Sequence, residues 1–454
     1  MPMTVSATLA ANEALDRRRR TGQPVMPMAF GEAGLPVATS LRDALAEAVG
    51  RAAYGPVAGS AELRRAAAGY WGRRGLPADP DLVVCGPGSK PLLFALLLAI
   101  GGDVVVPRPS WVSYAAQSRL VGGRPVFVPT RDGQGGVPDP GELTRVLAEA
   151  RAAGRDIRAV VVTLPDNPTG TVATPDVVRE LAAVARRHDL VIVSDEIYRD
   201  LIHDPRTPYL SPAEVAPERT VVTTALSKSL ALGGWRIGVA RLPDSPRGHE
   251  LRRELLAVAS EIWSSPSGPI QQAAAYAFAE PPELLERVER SRRLHAGVAR
   301  AVAGRFAAAG ALVRPPAAAF YVYPDFGPLR ERLADRDEIR TGAQLSGLLL
   351  ERYGLGVLPS SEFGESGEAL RLRVATSLLY GESDEQRAAA LTAPDPVTLP
   401  WIDDALGRLD EMLTDFTGTA PGLATTPATT PATSPAPVLR PAPRMAPQMS
   451  SAAT

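Results

Sequence analysis

Short apolar runs alternate with longer helical patterns through the first two thirds of the chain. Between about residues 41 and 275, seven runs rich in β-branched residues are separated by stretches rich in Ala, Leu and Arg. The runs are DLVVCG, GDVVVP, RPVFVP, AVVVTLP, LVIVSDE, TVVTTAL and IGVARL. This alternation predicts βαβ units. We therefore expect an α/β fold with a mostly parallel, seven-stranded sheet in a large domain that spans residues 41–275.

Other patterns flank this region. Residues 1–40 carry one helical pattern followed by Pro and Gly, and we interpret them as an N-terminal arm that is part of a small domain. Residues 276–417 combine a long helical pattern with short strands, which is typical of a small C-terminal α+β domain. Within them, the Pro and acidic residues of 378–400 suggest a surface insertion. Residues 418–454 are rich in Pro, Thr and Ala, and we expect a disordered tail.

Composition limits the functional classes. The 454 residues include 49 Lys and Arg against 50 Asp and Glu, so the formal net charge is −1 and no field of one sign attracts nucleic acid or a membrane surface. The single cysteine, Cys85, excludes an internal disulfide. Residues 1–20 lack the apolar core of a secretory signal, and the longest apolar stretch, 92–100, is too short to cross a bilayer. We expect a cytoplasmic protein.

Lysine is rare in this chain. Arg fills all basic positions except two, Lys90 and Lys228. An amine can lose its proton and attack a carbonyl group, whereas a guanidinium group does not. Both lysines are therefore candidates for such chemistry, although drift in an arginine-rich proteome would also leave two survivors by chance.

Polar residues follow three of the apolar runs. Asn167 follows AVVVTLP, Asp195 ends LVIVSD, and Lys228 follows VVTTAL. Ligands of parallel α/β sheets bind beyond the carboxyl ends of the strands, so these side chains are expected to meet in one crevice. A fourth run, DLVVCG, leads into residues 87–91 (PGSKP) and an apolar helix, an arrangement that can hold a phosphate on backbone N–H groups.

In their order along the chain, these motifs resemble the class I/II aminotransferases of fold type I, which use pyridoxal 5′-phosphate (PLP). The resemblance runs from about Ala29 to Ser377. The matching segments are YGPVAGSAELRRAAAGY, GPGSK, PRPSWVSY, DNPTG, SDEIY, SKSLALGGWRIG, AAFYVYPDF, LPSSEFG and LRLRVATS. The resemblance implies a homodimer with shared active sites that moves an amino group from an L-α-amino acid to a 2-oxo acid by a ping-pong mechanism.

The resemblance also assigns roles to residues. Lys228 matches the lysine that holds PLP covalently and moves a proton, and Asp195 matches the carboxylate that keeps the ring nitrogen of PLP protonated. Asn167 and Tyr198 match the donors to the phenolic oxygen of PLP. The implied catalytic residues are Lys228, Asp195 and Tyr198.

Further matches concern the phosphate and the ring of PLP. The implied phosphate-binding residues are Gly88, Ser89, Lys90 and Arg236. Trp111 matches the aromatic residue that stacks on the ring. Tyr54 matches a tyrosine that reaches the PLP phosphate of the neighbouring subunit, so the site is expected to need two chains.

Two arginines compete for the α-carboxylate of the substrate. Arg371 matches the family arginine by its spacing before Ala375, and Gly31 matches a backbone position beside it. Arg373, two residues on, is expected on the same face of the strand. The spacing favours Arg371. None of the four histidines lies in a pattern typical of a metal site.

Departures from the family pattern leave the substrate open. Ala225 replaces a usual Ser, and Ser260 stands where some dicarboxylate-specific relatives carry Arg. One alternative is another PLP reaction on the same scaffold, such as elimination, decarboxylation or cyclisation of an amino acid. The other is a catalytically silent PLP-binding regulator, and the lack of a helix-turn-helix pattern and of a basic patch argues against it.

Overall fold

The computed structural model describes residues 6–418. The strands are β1 (Met26–Pro27), β2 (Val83–Gly86), β3 (Asp103–Arg108), β4 (Pro125–Pro129), β5 (Ile157–Thr163), β6 (Val191–Asp195), β7 (Thr220–Ala225), β8 (Gly238–Arg241), β9 (Tyr321–Val322), β10 (Leu355–Gly356), β11 (Leu358–Pro359) and β12 (Leu372–Ala375). The α-helices are α1 (Ala7–Arg20), α2 (Thr39–Ala48), α3 (Ala61–Gly72), α4 (Ser89–Ile100), α5 (Val112–Leu120), α6 (Pro140–Ala152), α7 (Pro175–Arg187), α8 (Pro212–Val215), α9 (Leu226–Ser229), α10 (Pro246–Ile262), α11 (Gly268–Ala279), α12 (Pro282–Ala308), α13 (Arg330–Asp337), α14 (Gly342–Tyr353), α15 (Asp384–Thr392) and α16 (Pro400–Thr417).

Each of the seven apolar runs forms one strand of a seven-stranded sheet in the order β2-β8-β7-β6-β5-β3-β4. Strands β3 to β7 pair in parallel, and β8 is antiparallel to both of its neighbours, β2 and β7. The predicted α/β fold with a mostly parallel sheet is confirmed. The register places the ends of β5 and β6 side by side, with Thr163 opposite Asp195.

The central strands β6 and β7 are buried on both faces, which explains why they are continuous runs, whereas the edge strand β4 alternates between buried and partly exposed residues. Within β3, Val104 and Val106 pack into the core that contains apolar residues of α4 and α10. Val105, between them, packs into the core on α6 and α7. Because successive side chains of a strand point to opposite faces, one run supplies both cores.

The C-terminal part forms a separate core around α12 and α16, together with a three-stranded antiparallel sheet of order β11-β12-β9. Strand β1 of the N-terminal segment pairs in parallel with β10, so this segment joins the C-terminal part by backbone hydrogen bonds. The domain boundaries that the sequence suggests stay a prediction. The expected disordered tail lies, from residue 419 on, outside the described residues. In residues 6–418, no helix combines the length and apolar character needed to cross a membrane.

The segment after Ser377 lies only partly at the surface. Residues 378–400 were predicted as a surface insertion, but Tyr380 is fully buried and Leu391 is 8% exposed. The hydroxyl of Tyr380 lies 2.6 Å from Nδ1 of His295, which is itself buried in α12. The prolines and acids mark turns and the exposed face of α15, while the apolar residues between them pack into the C-terminal core.

Candidate active site

A cavity of about 510 Å³ lies at the carboxyl ends of β5, β6 and β7. It is lined by Thr8, Leu9, Phe30, Gly31, Glu32, Ser89, Lys90, Trp111, Tyr114, Thr163, Asn167, Asp195, Ile197, Tyr198, Ser227, Lys228, Gly233, Gly234, Arg236, Tyr321 and Arg373. The polar residues that follow the three apolar runs therefore meet in one crevice, where the topology of a parallel sheet places a ligand.

Lys228 projects into this cavity from the short helix α9, which begins directly after β7. Its ammonium group donates a hydrogen bond to the carbonyl oxygen of Gly31 at 2.5 Å. Burial lowers the pKa of Lys228 to about 8, although the carboxylate of Glu32 acts in the opposite direction. At pH 7 about a tenth of this amine is therefore neutral and nucleophilic, far more than for an ordinary lysine.

Asp195 is the last residue of β6 and is 3% exposed. The hydroxyl of Tyr114 donates a hydrogen bond to Oδ2 at 2.8 Å, and the backbone N–H of Ile197 lies 3.4 Å from Oδ1. Burial raises the pKa of Asp195 to about 6, and the bond from Tyr114 opposes this shift. None of the described cations forms a salt bridge with this carboxylate, although the charge of Lys228 acts on it from a longer distance.

Asn167 and Tyr198 border the cavity on either side of Asp195. Asn167 is 5% exposed and lies beyond β5, and Tyr198 is 2% exposed in the turn after β6. The hydroxyl of Tyr198 lies 2.7 Å from the hydroxyl of Tyr321. The two side chains thus present an amide and a phenol to the same space.

The N-terminus of α4 borders one end of the cavity, where the side chains of Lys90 and Arg236 also lie. Gly88 has φ 96°, a conformation that favours glycine, and a Cβ there would collide with the guanidinium group of Arg236. Arg236 donates to the carbonyl of Gly233 at 2.8 Å. Lys90 lies with its ammonium 5.0 Å from the ring centroid of Trp111. Burial lowers the pKa of Lys90, and the positive charge of Arg236 lowers it further.

The structure separates the two candidate arginines, and of the two only Arg373 lines the cavity. Arg371 precedes β12 and pairs with Asp325 at 2.8 Å and with Glu365 at 2.7 Å, outside the cavity. Arg373 is 1% exposed and lines the cavity, with one N–H 3.4 Å from the side-chain oxygen of Asn167. Among the described residues no carboxylate pairs with Arg373, and its Nε has no hydrogen-bond partner.

Two further predicted residues lie outside the cavity lining. Tyr54 is 93% exposed. Gly88 does not line the space itself but allows Arg236 to approach α4. Gly31 lines the cavity, as the resemblance implied, and packs so closely on Tyr321 that a Cβ would meet its hydroxyl.

The sequence matches the family "Aminotransferase class I and II" over residues 24–379. The chain belongs to this family. It is 34% identical over 381 residues to the aspartate/prephenate aminotransferase of Thermus thermophilus, covering 83% of this chain and 93% of that protein. It is 31% identical over 387 residues to the aspartate aminotransferase of Geobacillus stearothermophilus, again covering 83% and 93%.

A solved structure gives the same result. The Thermus thermophilus aspartate aminotransferase with maleate superposes with a TM-score of 0.75 at 30% identity, covering 90% of this chain and 97% of that one. The prediction of an aminotransferase is confirmed, and this enzyme has the fold of that class.

Several side chains in the cavity of the aminotransferase were not found from the sequence. Among them are Tyr114, Thr163 and Tyr321. Tyr114 and Tyr321 lie inside the segments WVSY and AAFYVYP that carried the resemblance, yet neither follows an apolar run. Thr163 is the last residue of β5, and its position opposite Asp195 becomes visible only once the two strands are in register.

Proposed function

We propose that this aminotransferase binds PLP in the cavity and moves an amino group from an L-α-amino acid to a 2-oxo acid by a ping-pong mechanism. One observation carries the proposal. A buried lysine, a buried carboxylate without a salt bridge and a buried arginine without a carboxylate partner line a single cavity: Lys228, Asp195 and Arg373. Each has a complementary group in PLP or in the substrate.

The charges of the cavity fit an anionic cofactor and an anionic substrate. Its lining contains the cations of Lys90, Lys228, Arg236 and Arg373 but only the carboxylates of Glu32 and Asp195. A phosphate at the N-terminus of α4 and a substrate carboxylate at Arg373 supply the missing negative charge. A protonated ring nitrogen supplies the cation that Asp195 lacks, since a buried carboxylate is costly without such a partner.

Each residue has a defined task in this proposal. Arg236, Ser89 and Lys90 bind the phosphate, and Trp111 packs on the ring. Asp195 holds a proton at the ring nitrogen, while Asn167 and Tyr198 donate hydrogen bonds to the phenolic oxygen. When bound, PLP supplies an electron sink for the bond that breaks at the substrate Cα.

Lys228 and Arg373 act on the substrate. Arg373 binds the α-carboxylate through its planar fork, and this carboxylate is common to the amino acid and the oxo acid. Lys228, once free of the cofactor, removes the proton from Cα, which a pKa near 8 permits near neutral pH. One arginine and one lysine thus serve both halves of the reaction.

The assembly and the donor belong to the same proposal. The exposure of Tyr54 supports a homodimer in which this side chain completes the phosphate site of the partner. A cytoplasmic location agrees with the composition. The relatives in Thermus thermophilus and Geobacillus stearothermophilus are named for aspartate, so aspartate is the first donor we propose.

Reduction with borohydride tests the proposal. The PLP-loaded enzyme should retain a phosphopyridoxyl group on the peptide that contains Lys228, as mass spectrometry would show. Lys228→Ala should abolish this label and turnover, whereas Lys90→Ala, the other lysine, should keep the label on Lys228. A label on Lys90 would refute the assignment.

The half-reaction tests the reaction type. Given a productive amino acid without an acceptor, the enzyme should release one oxo acid per site and then stop. Continuous release of ammonia or carbon dioxide under these conditions would indicate a lyase or a decarboxylase instead.

A further inference from the structure

A chain of three hydroxyl and carboxyl groups ends on Asp195. The hydroxyl of Thr163 lies 2.9 Å from the hydroxyl of Tyr114, which in turn lies 2.8 Å from Oδ2 of Asp195. Thr163 and Tyr114 are each 1% exposed, and Asp195 is 3% exposed. The proposed function above gives a task to Asp195 but none to the other two residues.

The hydrogen atoms in this chain have only one possible order when Asp195 is ionised. An ionised carboxylate only accepts, so Tyr114 donates its single hydrogen to Asp195. The oxygen of Tyr114 is then available only as an acceptor, so Thr163 donates to it. Two dipoles therefore point at the carboxylate, and both stabilise its charged form.

The fold holds the three groups rigidly. Thr163 and Asp195 are the last residues of the neighbouring parallel strands β5 and β6 and are register partners. Tyr114 lies on α5 and packs edge-on against Trp111, with ring centroids 5.3 Å apart. A shift of Thr163 or Asp195 would disturb the pairing of β5 and β6, and a shift of the Tyr114 ring would disturb its packing against Trp111.

We propose that Tyr114, oriented by Thr163, is a positioning residue that keeps Asp195 ionised and aimed at the ring nitrogen of the cofactor. The proposal rests on the proposed function, because it requires PLP in the cavity. The hydrogen bond from Tyr114 acts against the effect of burial, which favours the neutral form of Asp195.

Other charged groups also face Asp195. Lys228, after β7, favours the ionised form, whereas Glu196, next in the chain, favours the neutral form. Tyr198 lies in the same turn, and Asp166, beyond β5, acts on Tyr114. Among the described residues around Asp195, the hydroxyl of Tyr114 and the backbone N–H of Ile197 donate hydrogen bonds to the carboxylate.

The test measures the dissociation constant of the apo-enzyme for PLP as a function of pH. As pH falls through the pKa of Asp195, the carboxylate loses its charge and binds the ring nitrogen less well, so the dissociation constant rises. Tyr114→Phe removes one donor to the charged form and should move this rise upward by about one to two pH units. Thr163→Val, which keeps the shape of the side chain, should give a smaller shift in the same direction.

Tyr380→Phe is the matched control, because its hydroxyl is equally buried but contacts His295. It should leave the pH profile unchanged. If the wild type binds PLP and Tyr114→Phe keeps its midpoint, or if Tyr380→Phe shifts it equally, the proposal is wrong. Should Tyr114→Phe fail to fold, an unshifted Thr163→Val overturns it. Failure of the wild type to bind PLP would instead refute the proposed function.

Discussion

Arg373 and Asn167, far apart in the chain, lie with a guanidinium nitrogen 3.4 Å from the amide oxygen inside the cavity. Arg373 projects from β12 of the antiparallel sheet, and Asn167 follows β5 of the parallel sheet. The contact therefore places the proposed carboxylate site directly beside the proposed site for the phenolic oxygen of PLP. A ligand that pairs with Arg373 competes with this weak hydrogen bond.

Replacing Arg373 should weaken the amino donor and the oxo acceptor alike. In Arg373→Ala, the substrate carboxylate has no fixed cation in a buried site, and we expect kcat/KM for both substrates to fall about a hundredfold or more. Arg373→Lys should recover only part of this loss, because an ammonium group does not reproduce the fork. Steady-state kinetics with each substrate varied in turn measures both effects.

Arg371→Ala is the control for this prediction. Its guanidinium group is half-exposed and pairs with Asp325 and Glu365. We expect kcat/KM to change by less than a few-fold. A large loss in Arg371→Ala, with little loss in Arg373→Ala, would restore the assignment that the sequence favoured.

The sequence predicted the large sheet because its signal is local. Seven apolar runs became seven strands, since most of their residues are apolar and buried in the sheet. Asp195 and Lys228 could be found in the same way, because polar residues directly after such runs have to lie at the edge of the sheet. Both residues line the cavity.

The choice between the two arginines depended on where a strand begins. An alternating strand would place Arg371 and Arg373 on one face, but β12 begins at Leu372. Arg371 forms only an isolated bridge to Asp325, and the acids beside it capture its side chain. Neither the start of the strand nor the position of Glu365 can be read from spacing. Tertiary contacts place the two side chains in different surroundings.

The buried histidine of the C-terminal core should make stability depend on pH. Burial lowers the pKa of His295 to about 3, with His203 as a smaller cause, so the folded state keeps the imidazole neutral. The unfolded chain binds a proton near its ordinary pKa of about 6.5. The neutral imidazole of His295 therefore contributes fully to the free energy of unfolding above this pH. Its contribution falls as pH drops toward 3, by about 2 kcal/mol at pH 5.

A matched variant isolates this effect. His295→Gln keeps a polar partner for the hydroxyl of Tyr380 but does not titrate. Denaturant unfolding at pH 8 and pH 5 should show a smaller acid-induced loss of stability in the variant than in the wild type. Equal losses in both proteins would contradict the prediction.

A substitution at Tyr321 should partly restore the stability that a substitution at Gly31 removes. A Cβ at Gly31 would overlap the hydroxyl of Tyr321, while the nearest ring carbons would lie at 3.2 Å. Gly31→Ala should therefore displace the segment whose carbonyl accepts from Lys228, at a cost of about 1–3 kcal/mol in stability. We expect a lower melting temperature and a lower kcat/KM.

Removing the hydroxyl should relieve this overlap. The double variant Gly31→Ala/Tyr321→Phe should recover part of the melting temperature that Gly31→Ala loses. Tyr321→Phe alone reports the separate cost of losing the contact with Tyr198. Strictly additive losses in the double variant would show that the two positions do not interact.

Subunit complementation tests whether Tyr54 acts in the site of its partner. In one chain the ring is 93% exposed, an unusual state for a large aromatic side chain, and it contributes nothing to the cavity lining of that chain. If Tyr54 completes the partner's phosphate site, then Tyr54→Ala and Lys228→Ala homodimers are both impaired, for different reasons. A heterodimer of the two has one site with both native residues and one with neither. After full exchange of equal amounts, activity should return to roughly a quarter of the wild-type value, since half of the dimers are mixed and each has one intact site.

Two differently tagged subunits, recovered together by sequential affinity purification, prove the exchange. A mixture that contains heterodimers but regains no activity would show that Tyr54 acts within its own chain or not at all.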